Sequence, residues 1–240
     1  MAQPQPQLCP LALRIFHASG VVEAFGVPPK ALESFLMLLQ EAYLPNPFHN
    51  FAHAGMVLHK SFLVACKTRL CQHLSQLELF ALFLAAIGHD VGHLGRTNSF
   101  EVASESPLAL LYNNRSVLEQ HHAATLFTAL GKHNVLAGLP RDSRLWLRQL
   151  VLDMIMATDM QAHTDLLVRL EQLPTDNTEK LTAAQRGVLM QSVLHATDLH
   201  ATHYSTGRAA LRAALNVAAL HPAICATAPL AIATSSDVLH

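Results

Sequence analysis

The sequence predicts an all-α protein. Apolar residues recur at helical spacing along most of the chain, whereas the alternation typical of strands is rare. Three segments have the capping-box pattern of helix starts, in which Ser or Thr precedes Glu or Gln by three residues; they begin at Ser75, Ser116 and Thr182. There is no glycine-rich phosphate loop and no alternation of strands with helices. The 240 residues, 51% of them hydrophobic, suit one large domain or two small ones.

Prolines and capping residues place the helix boundaries. Pro28 and Pro29 suit the first turn of a helix, and Pro45 and Pro47 end that helix. The segment 91–104 is predicted to be looser. In chain order, the predicted helices span about 8–19, 28–43, 52–71, 76–88, 107–112, 116–130, 142–157, 160–172 and 182–199.

Composition divides the chain into three parts. Residues 1–29 comprise a polar, proline-rich tail and a short helix, and residues 30–200 form the predicted core. Residues 201–240 are rich in Ala, Thr, Ser and His. This last part is predicted to be a diverged, partly irregular tail, in which 209–220 has a helical pattern.

Charge and hydropathy exclude several classes of function. A net charge of −1 gives no electrostatic basis for binding nucleic acid or an anionic membrane. No uninterrupted apolar window reaches the length of a transmembrane helix, so no membrane insertion is expected. The first residues do not have the pattern of a signal peptide, and the four cysteines form no CxxC pair. These features predict a cytoplasmic protein with reduced thiols.

An adjacent histidine and aspartate, His89 and Asp90, follow the apolar run 79–87, and His93 comes shortly after them. Desolvating charge at the end of a buried helix is costly without a partner. A divalent metal is the partner that explains this pair most simply, and an aspartate can bridge two ions. Alternatively, His89 and Asp90 cap the apolar helix, and Asn98 caps the next element.

Two further histidines, His49 and His53, are four residues apart near a predicted helix start. They share a helix face if the segment is helical. Both then bind one metal, or one binds metal while the other faces a substrate. The alternative is a pair of ordinary histidines at a helix start.

A third group combines Glu119 with His121 and His122. Glu119 and His122 are three residues apart, so they share a helix face. They suit residues that orient metal ligands. Alternatively, Glu119 completes the capping box with Ser116, and the two histidines lie in mid-helix without a special role.

Two similar segments occur late in the chain, at 156–160 and 195–199. Each is predicted to place an aspartate, Asp159 or Asp198, at the end of an apolar helical run. A carboxylate near the core needs a cation or hydrogen-bond donors. Asp198 is therefore a natural last metal ligand, and its alternative is an ordinary aspartate at a helix end or turn.

Together, His53, His89, Asp90 and Asp198 offer one ion two nitrogens and two oxygens, in the ligand order of the HD hydrolase superfamily. The motifs resemble more closely the catalytic domain of class I cyclic-nucleotide phosphodiesterases, over about residues 30–200. The resemblance implies that this chain has the compact multi-helix HD fold of that family. The motifs occur in family order: His49-Asn-x-x-His53-Ala54, His89-Asp-x-x-His-x-Gly-x-x-Asn98, the segment 108–123, Ala157-Thr-Asp-Met160 and His195-Ala-Thr-Asp198-Leu199.

The resemblance implies roles for these residues. His49 is the expected general acid, and the four ligands are expected to hold a tightly bound zinc. Asp90 is expected to bridge to a second ion, Mg²⁺ or Mn²⁺. Substrate contacts are expected from His49, Asp198 and Met160. The residues expected to surround and orient the ligands are His93, Asn98, Glu119, His122, Thr158 and Asp159.

The chain departs from the family after Leu199. The family continues with Ser-Asn-Pro, whereas this chain reads His200-Ala201-Thr202. No Trp, Phe or Gln follows Gln191, so the family's purine-binding glutamine and stacking phenylalanine have no counterpart. The sequence therefore predicts a fold without its C-terminal helices. It also predicts exposed apolar surface on helices 142–157 and 182–199, through which the chain associates with itself or another protein.

The resemblance implies hydrolysis of cyclic AMP, cyclic GMP or both to 5′-nucleoside monophosphates in signal transduction. One alternative is an HD-type phosphohydrolase of another nucleotide. His49, four residues before the first ligand, favours the cyclic-nucleotide reaction over it. The other alternative is a catalytically defective isoform that lacks the purine clamp.

Overall fold

The computed structural model describes residues 8–68, 70–174 and 181–202, with side chains up to residue 199. Within these ranges the chain is all-α, as predicted, and contains no strand. Two 3₁₀ turns, Leu70–Gln72 and Met160–Ala162, lie between helices. The helices are α1 (Leu8–Ala18), α2 (Val21–Ala24), α3 (Pro29–Ala42), α4 (Phe51–Lys67), α5 (Gln76–Gly88), α6 (Asn98–Ala103), α7 (Pro107–Leu111), α8 (Val117–Lys132), α9 (Arg141–Met156), α10 (His163–Glu171) and α11 (Ala183–Thr202).

Each helix predicted within the described residues is present, and two short helices, α2 and α6, were not predicted. Parts of the prediction, namely the tail over 1–7 and all of 203–240, lie outside the described residues. The proposed division of the chain at residues 29 and 200 stays a prediction. Ile15 and Phe16 of α1 are buried in the same core cluster as residues of α3, α4 and α5.

Helix α5 is buried on all sides. Every residue from Glu78 to Gly88 is buried, as expected for a helix that is apolar around its whole circumference. The predicted capping box opens it, because Ser75 Oγ accepts from the Glu78 amide at 3.3 Å and Glu78 Oε2 accepts from the Ser75 amide at 2.7 Å. The helix packs mainly against α4 and α9. It therefore ends inside the protein, where His89 and Asp90 follow.

The start of α8 differs from the prediction. Ser116 precedes α8 with a left-handed φ of 39° and makes no side-chain cap. Its hydroxyl donates instead to Asp159 Oδ2 at 2.8 Å. Glu119 accepts from Asn98 Nδ2 at 2.9 Å rather than closing a capping box. The predicted capping box at Ser116 is therefore wrong, because partners distant in sequence bind both of its side chains.

The segment 91–104 is more regular than predicted, since it contains α6. Thr97 is the capping residue of α6, and its Oγ1 accepts from the Phe100 amide at 3.2 Å. Asn98 is the first helical residue of α6, so the expectation that Asn98 caps this helix is wrong, whereas His89 does occupy the C-cap position of α5. Its Oδ1 accepts from the Leu118 amide at 2.9 Å, which joins α6 to the start of α8.

The predicted exposure of apolar surface applies to few of the described residues. On α11, Leu189, Met190 and Val193 are buried. On α9, Leu145 and Trp146 are 52% and 46% exposed, while most of the other apolar side chains of that helix are buried. Association through such surface stays a prediction. None of the described helices combines the length and the hydropathy that a membrane crossing requires.

Candidate metal centre

Four side chains from three parts of the fold converge on one point. His53 lies in the first turn of α4, and His89 and Asp90 directly follow α5. Asp198 lies inside α11, which continues to residue 202, so the prediction that it ends a helical run is wrong. One ligand atom from each of the four residues lies within 4.8 Å of all the others.

The spacing of these atoms matches a coordination sphere. His53 Nε2 lies 3.2 Å from His89 Nε2, 3.3 Å from Asp90 Oδ2 and 3.0 Å from Asp198 Oδ1. His89 Nε2 lies 3.3 Å from Asp90 Oδ2 and 3.4 Å from Asp198 Oδ1. Metal bonds of about 2.1 Å place neighbouring ligand atoms about 3.0–3.4 Å apart. The four side chains therefore fit a divalent metal.

Burial and hydrogen bonding support the same conclusion. His89 is fully buried, and its Nδ1 donates to the Ala86 carbonyl at 3.0 Å, so the lone pair of the neutral ring is on Nε2 and faces the other ligands. Asp90 Oδ2 is buried and lies 3.3 Å from each of the two histidine Nε2 atoms. Two carboxylates this close together need positive charge between them. A metal cation supplies it and accepts both nitrogen lone pairs.

Protons are the competitors for this position. Burial by itself lowers the pKa of His89, but Asp90 and Asp198 outweigh burial and raise the pKa well above its ordinary value. Burial by itself raises the pKa of Asp198, but His89 and His53 lower that pKa to about 2. The metal-free cluster thus holds protons on its histidines. Metal binding must release them, which couples metal affinity to pH.

His49 is not on the helix with His53. Helix α4 begins at Phe51, after Asn50, whose Oδ1 accepts from the His53 amide at 3.1 Å. The predicted helical pairing of His49 and His53 is therefore wrong. The ring of His49 instead stacks on that of His93, with centroids 3.9 Å apart and planes 15° apart. Burial lowers the pKa of the His49 imidazole.

Residues around the ligands are fixed by hydrogen bonds. His122 Nδ1 donates to the Val91 carbonyl at 2.9 Å, and its Nε2 lies 3.9 Å from Asp90 Oδ1. Burial lowers the pKa of His122 to about 3, so its ring is neutral. Burial also raises the pKa of Glu119 to about 7. Both side chains are thus suited to orient neighbouring groups rather than to supply fixed charge.

The predicted residues after the end of α9 line or support one wall of a cavity beside the ligands. Asp159 accepts a hydrogen bond from the hydroxyl of Ser116, which precedes α8. Thr158 Oγ1 donates to the Ile155 carbonyl at 2.7 Å. Met160 is 55% exposed. A cavity of about 670 Å³ extends from Thr158 and Met160 to the ligands Asp90 and Asp198. Its lining residues are Phe48, His49, Asp90, His93, Thr97, Leu118, Glu119, His122, Thr158, Met160, Asp198 and Leu199.

Three neighbouring residues were not predicted from the sequence. The Tyr43 hydroxyl donates to the Ile87 carbonyl at 2.9 Å and accepts from the Asp90 amide at 3.3 Å. Phe48 packs beside His49 and His53, and Asn46 bonds to nearby carbonyl groups. The adjacency of Phe48 to His49 was a usable signal. The contacts of Tyr43 and Asn46 depend on chain folding that spacing does not reveal.

A family model described as 3′5′-cyclic nucleotide phosphodiesterase matches residues 48–209. This chain belongs to that family. All four candidate ligands of this phosphodiesterase-family chain, and His49, lie within the matched residues. The match therefore includes the whole of the candidate metal centre.

Relatives of this phosphodiesterase-family chain are longer proteins. It is similar to the dual specificity calcium/calmodulin-dependent 3′,5′-cyclic nucleotide phosphodiesterase 1 of Drosophila melanogaster, with 39% identity over 193 residues, 79% of this chain and 23% of the relative. The 3′,5′-cyclic-nucleotide phosphodiesterase regA of Dictyostelium discoideum is 35% identical over 183 residues, which are 73% of this chain and 23% of that protein. The chain spans about a quarter of the length of these relatives.

Solved phosphodiesterase structures share the fold. The phosphodiesterase domain of the RhoPDE fusion protein from the choanoflagellate Salpingoeca rosetta superposes with a TM-score of 0.77 and 33% identity, over 83% of this chain and 64% of that domain. A second structure of the S. rosetta rhodopsin phosphodiesterase domain gives a TM-score of 0.78 and 34% identity, over 82% and 61%. The compact multi-helix fold predicted from the motifs is thus confirmed.

Proposed function

We propose that this chain hydrolyses 3′,5′-cyclic nucleotides to 5′-nucleoside monophosphates, in cyclic-nucleotide signalling. The observation that carries the proposal is the group of two histidines and two aspartates, whose aspartates line a cavity of about 670 Å³ together with His49. Family membership supports the same reaction class. Cyclic AMP, cyclic GMP or both are the proposed substrates.

His53, His89, Asp90 and Asp198 are the proposed ligands of a tightly bound zinc, since zinc accepts mixed nitrogen and oxygen ligands. Asp90 is the proposed bridge to a second ion, Mg²⁺ or Mn²⁺, because a carboxylate has a second oxygen to offer. Two divalent ions held by these residues would supply an activated water and would offset the negative charge of a phosphodiester.

His49 is the proposed general acid, which protonates the leaving 3′ oxygen. A general acid must be held within hydrogen-bond reach of its target. The stack on His93 and the edge contact with Phe48, whose ring centroid lies 4.9 Å away, fix the plane of the His49 ring. Asp198 and Met160, which line the cavity near it, are proposed to contact the substrate.

The remaining predicted residues are proposed to hold this arrangement. His122 and Glu119 line the cavity beside Asp90, and Asn98 fixes the carboxylate of Glu119. Thr158 and Asp159 connect the cavity wall to α8 and α9. We also propose a cytoplasmic location, which rests on the sequence.

A second candidate function is metal binding without turnover. One observation favours it, because the segment between Gln191 and His240 contains no Trp, Phe or Gln that could hold a purine. Base stacking on an aromatic side chain contributes about 1–3 kcal/mol to binding.

Hydrolysis of cyclic AMP and cyclic GMP by the full chain, with added Mn²⁺ or Mg²⁺, tests these proposals. We expect turnover that His49→Ala reduces by about 100- to 10,000-fold, because a positioned general acid contributes that much. Asp198→Ala is expected to lose both turnover and bound zinc. His59→Ala, an exposed histidine on α4, is the matched control and is expected to retain both.

The outcomes separate the candidates. If the unmodified chain binds zinc but hydrolyses the cyclic nucleotides no faster than the His49 and Asp198 variants, metal binding without turnover is favoured. Absence of zinc from the purified chain, measured by elemental analysis, contradicts the proposed centre itself. Hydrolysis of a different nucleotide phosphoester alone favours the HD-type alternative.

A further inference from the structure

The side chain of Asn46 connects two segments that carry histidines of the site. Asn46 lies in the link between α3 and α4. Its Nδ2 donates to the backbone carbonyl of His93 at 2.7 Å and to that of His49 at 3.1 Å. One amide group therefore holds together the link before α4 and the turn after α5.

The two residues that Asn46 joins are also stacked through their rings. The imidazoles of His49 and His93 have centroids 3.9 Å apart and planes 15° apart. His49 precedes α4, so no helical backbone fixes its side chain. The orientation of its ring therefore depends on contacts made by the link, including the bonds from Asn46.

The surrounding backbone accommodates the Asn46 amide closely. Gly95 has a left-handed φ of 74°, and a Cβ at this position would lie 3.0 Å from Asn46 Oδ1. The Gly95 amide donates to His93 Nδ1 at 2.9 Å, which fixes that ring from the other side. The carbonyl of Asn46 accepts from Asn50 Nδ2 at 2.9 Å, so the link is also tied to the start of α4.

We propose that Asn46 is a positioning residue that holds the His49 ring against His93 at the cavity wall. Its part in the reaction rests on the proposed function, which makes His49 the general acid. Asn46 does not line the cavity, so it acts through His49 rather than by touching the substrate. Misplacing a reacting group by about 1 Å can cost about 100-fold in rate.

The first test does not require turnover. In the full chain with ¹³C-labelled histidine rings, NMR reports the ring-current shift that His93 imposes on His49. Asn46→Ala and Asn46→Asp are expected to move the His49 ring signals toward those of a solvent-exposed histidine. The aspartate variant keeps the side-chain volume but cannot donate, and it supports the same comparison if the alanine variant does not fold. Gln149→Ala, which removes an exposed amide, is the control and is expected to leave the signals in place. Unchanged His49 signals in both Asn46 variants would overturn the proposal.

The second test uses the kinetics of an active chain. Asn46→Ala is expected to lower kcat by about 10- to 100-fold and to change KM by less than about 3-fold, because it disturbs positioning rather than binding. The same substitution in a His49→Ala background is expected to have no further effect on kcat. A large further loss there would contradict action through His49. Absence of turnover would contradict the proposed function, whereas the NMR comparison would still decide the role of Asn46.

Discussion

The ligand cluster and the link that carries His49 are held in different ways. His89 and Asp90 follow a helix that is buried on all sides, and His53 and Asp198 lie within helices. The link over residues 43–50 is fixed by side-chain hydrogen bonds and ring contacts. Core packing is rigid because interiors are close-packed, whereas a link depends on few contacts. The ligand cluster is therefore expected to survive changes that displace His49.

The largest expected effect is the loss of a ligand. Asp198→Ala removes one of two carboxylates from a buried cluster, so zinc affinity is expected to fall by more than about 100-fold, beyond the usual effect of changing a residue that orients a ligand. Titration with a zinc-binding dye measures it. Asp165→Ala, an exposed acidic residue on α10, is the control. Equal zinc affinity in the two variants would show that the four side chains do not form the site.

The next largest effect concerns the core that supports the ligand cluster. Phe80 is fully buried in α5. Its ring centroid lies 6.1 Å from that of Phe16 and 5.7 Å from that of Phe25. Phe80→Ala is expected to lower the free energy of unfolding by about 3–5 kcal/mol, through lost burial and a cavity. Phe100→Ala, at a residue that is 50% exposed, is expected to cost far less. Urea titration compares them, and similar losses would contradict the assignment of the core.

A smaller effect is expected from a residue that orients a ligand. His122→Ala removes a buried ring beside Asp90, so zinc affinity is expected to fall by about 10- to 100-fold. His133→Ala, just beyond the other end of α8, is the control and is expected to bind zinc normally. If the His122 variant keeps full affinity, its ring serves packing alone. Isothermal calorimetry measures the difference.

The smallest effect concerns the packing of α11 against α4. Thr197, the residue before Asp198, is buried, and so is Ser61. Their hydroxyl oxygens are 3.1 Å apart. Ser61→Ala is expected to cost about 1 kcal/mol of stability, as for other buried hydrogen bonds. Thr128→Ala, an exposed hydroxyl on α8, is the control. Thermal unfolding that is equally affected in both variants would exclude a specific contribution from the pair.

Local patterns in the sequence were sufficient for most of the fold. Helix α5 and the capping boxes at Ser75 and Thr182 depend on residues close in sequence, and both boxes are present. Helix α2 has four residues, too few to show a helical period. The box at Ser116 is absent because Asp159 and Asn98, which are distant in sequence, bind its two side chains.

The candidate site was predictable in its ligands but less so in its supports. His53, His89, Asp90 and Asp198 converge as their chemistry and order indicated. The stack of His49 on His93 was not predicted, since the helical spacing indicated a pairing with His53. The bonds of Asn46 and Tyr43 join segments about forty-five residues apart, and spacing along the chain does not reveal such contacts.

The direction in which α5 enters the site has an electrostatic consequence. The C-terminal end of a helix carries a partial negative charge, because its last carbonyl groups point along the axis. In this chain that end lies beside His89 and Asp90, so the helix dipole adds to the negative potential of the two carboxylates. The potential attracts cations and repels anions. A phosphate-bearing ligand is thus expected to bind more tightly after metal loading, which couples the two binding events.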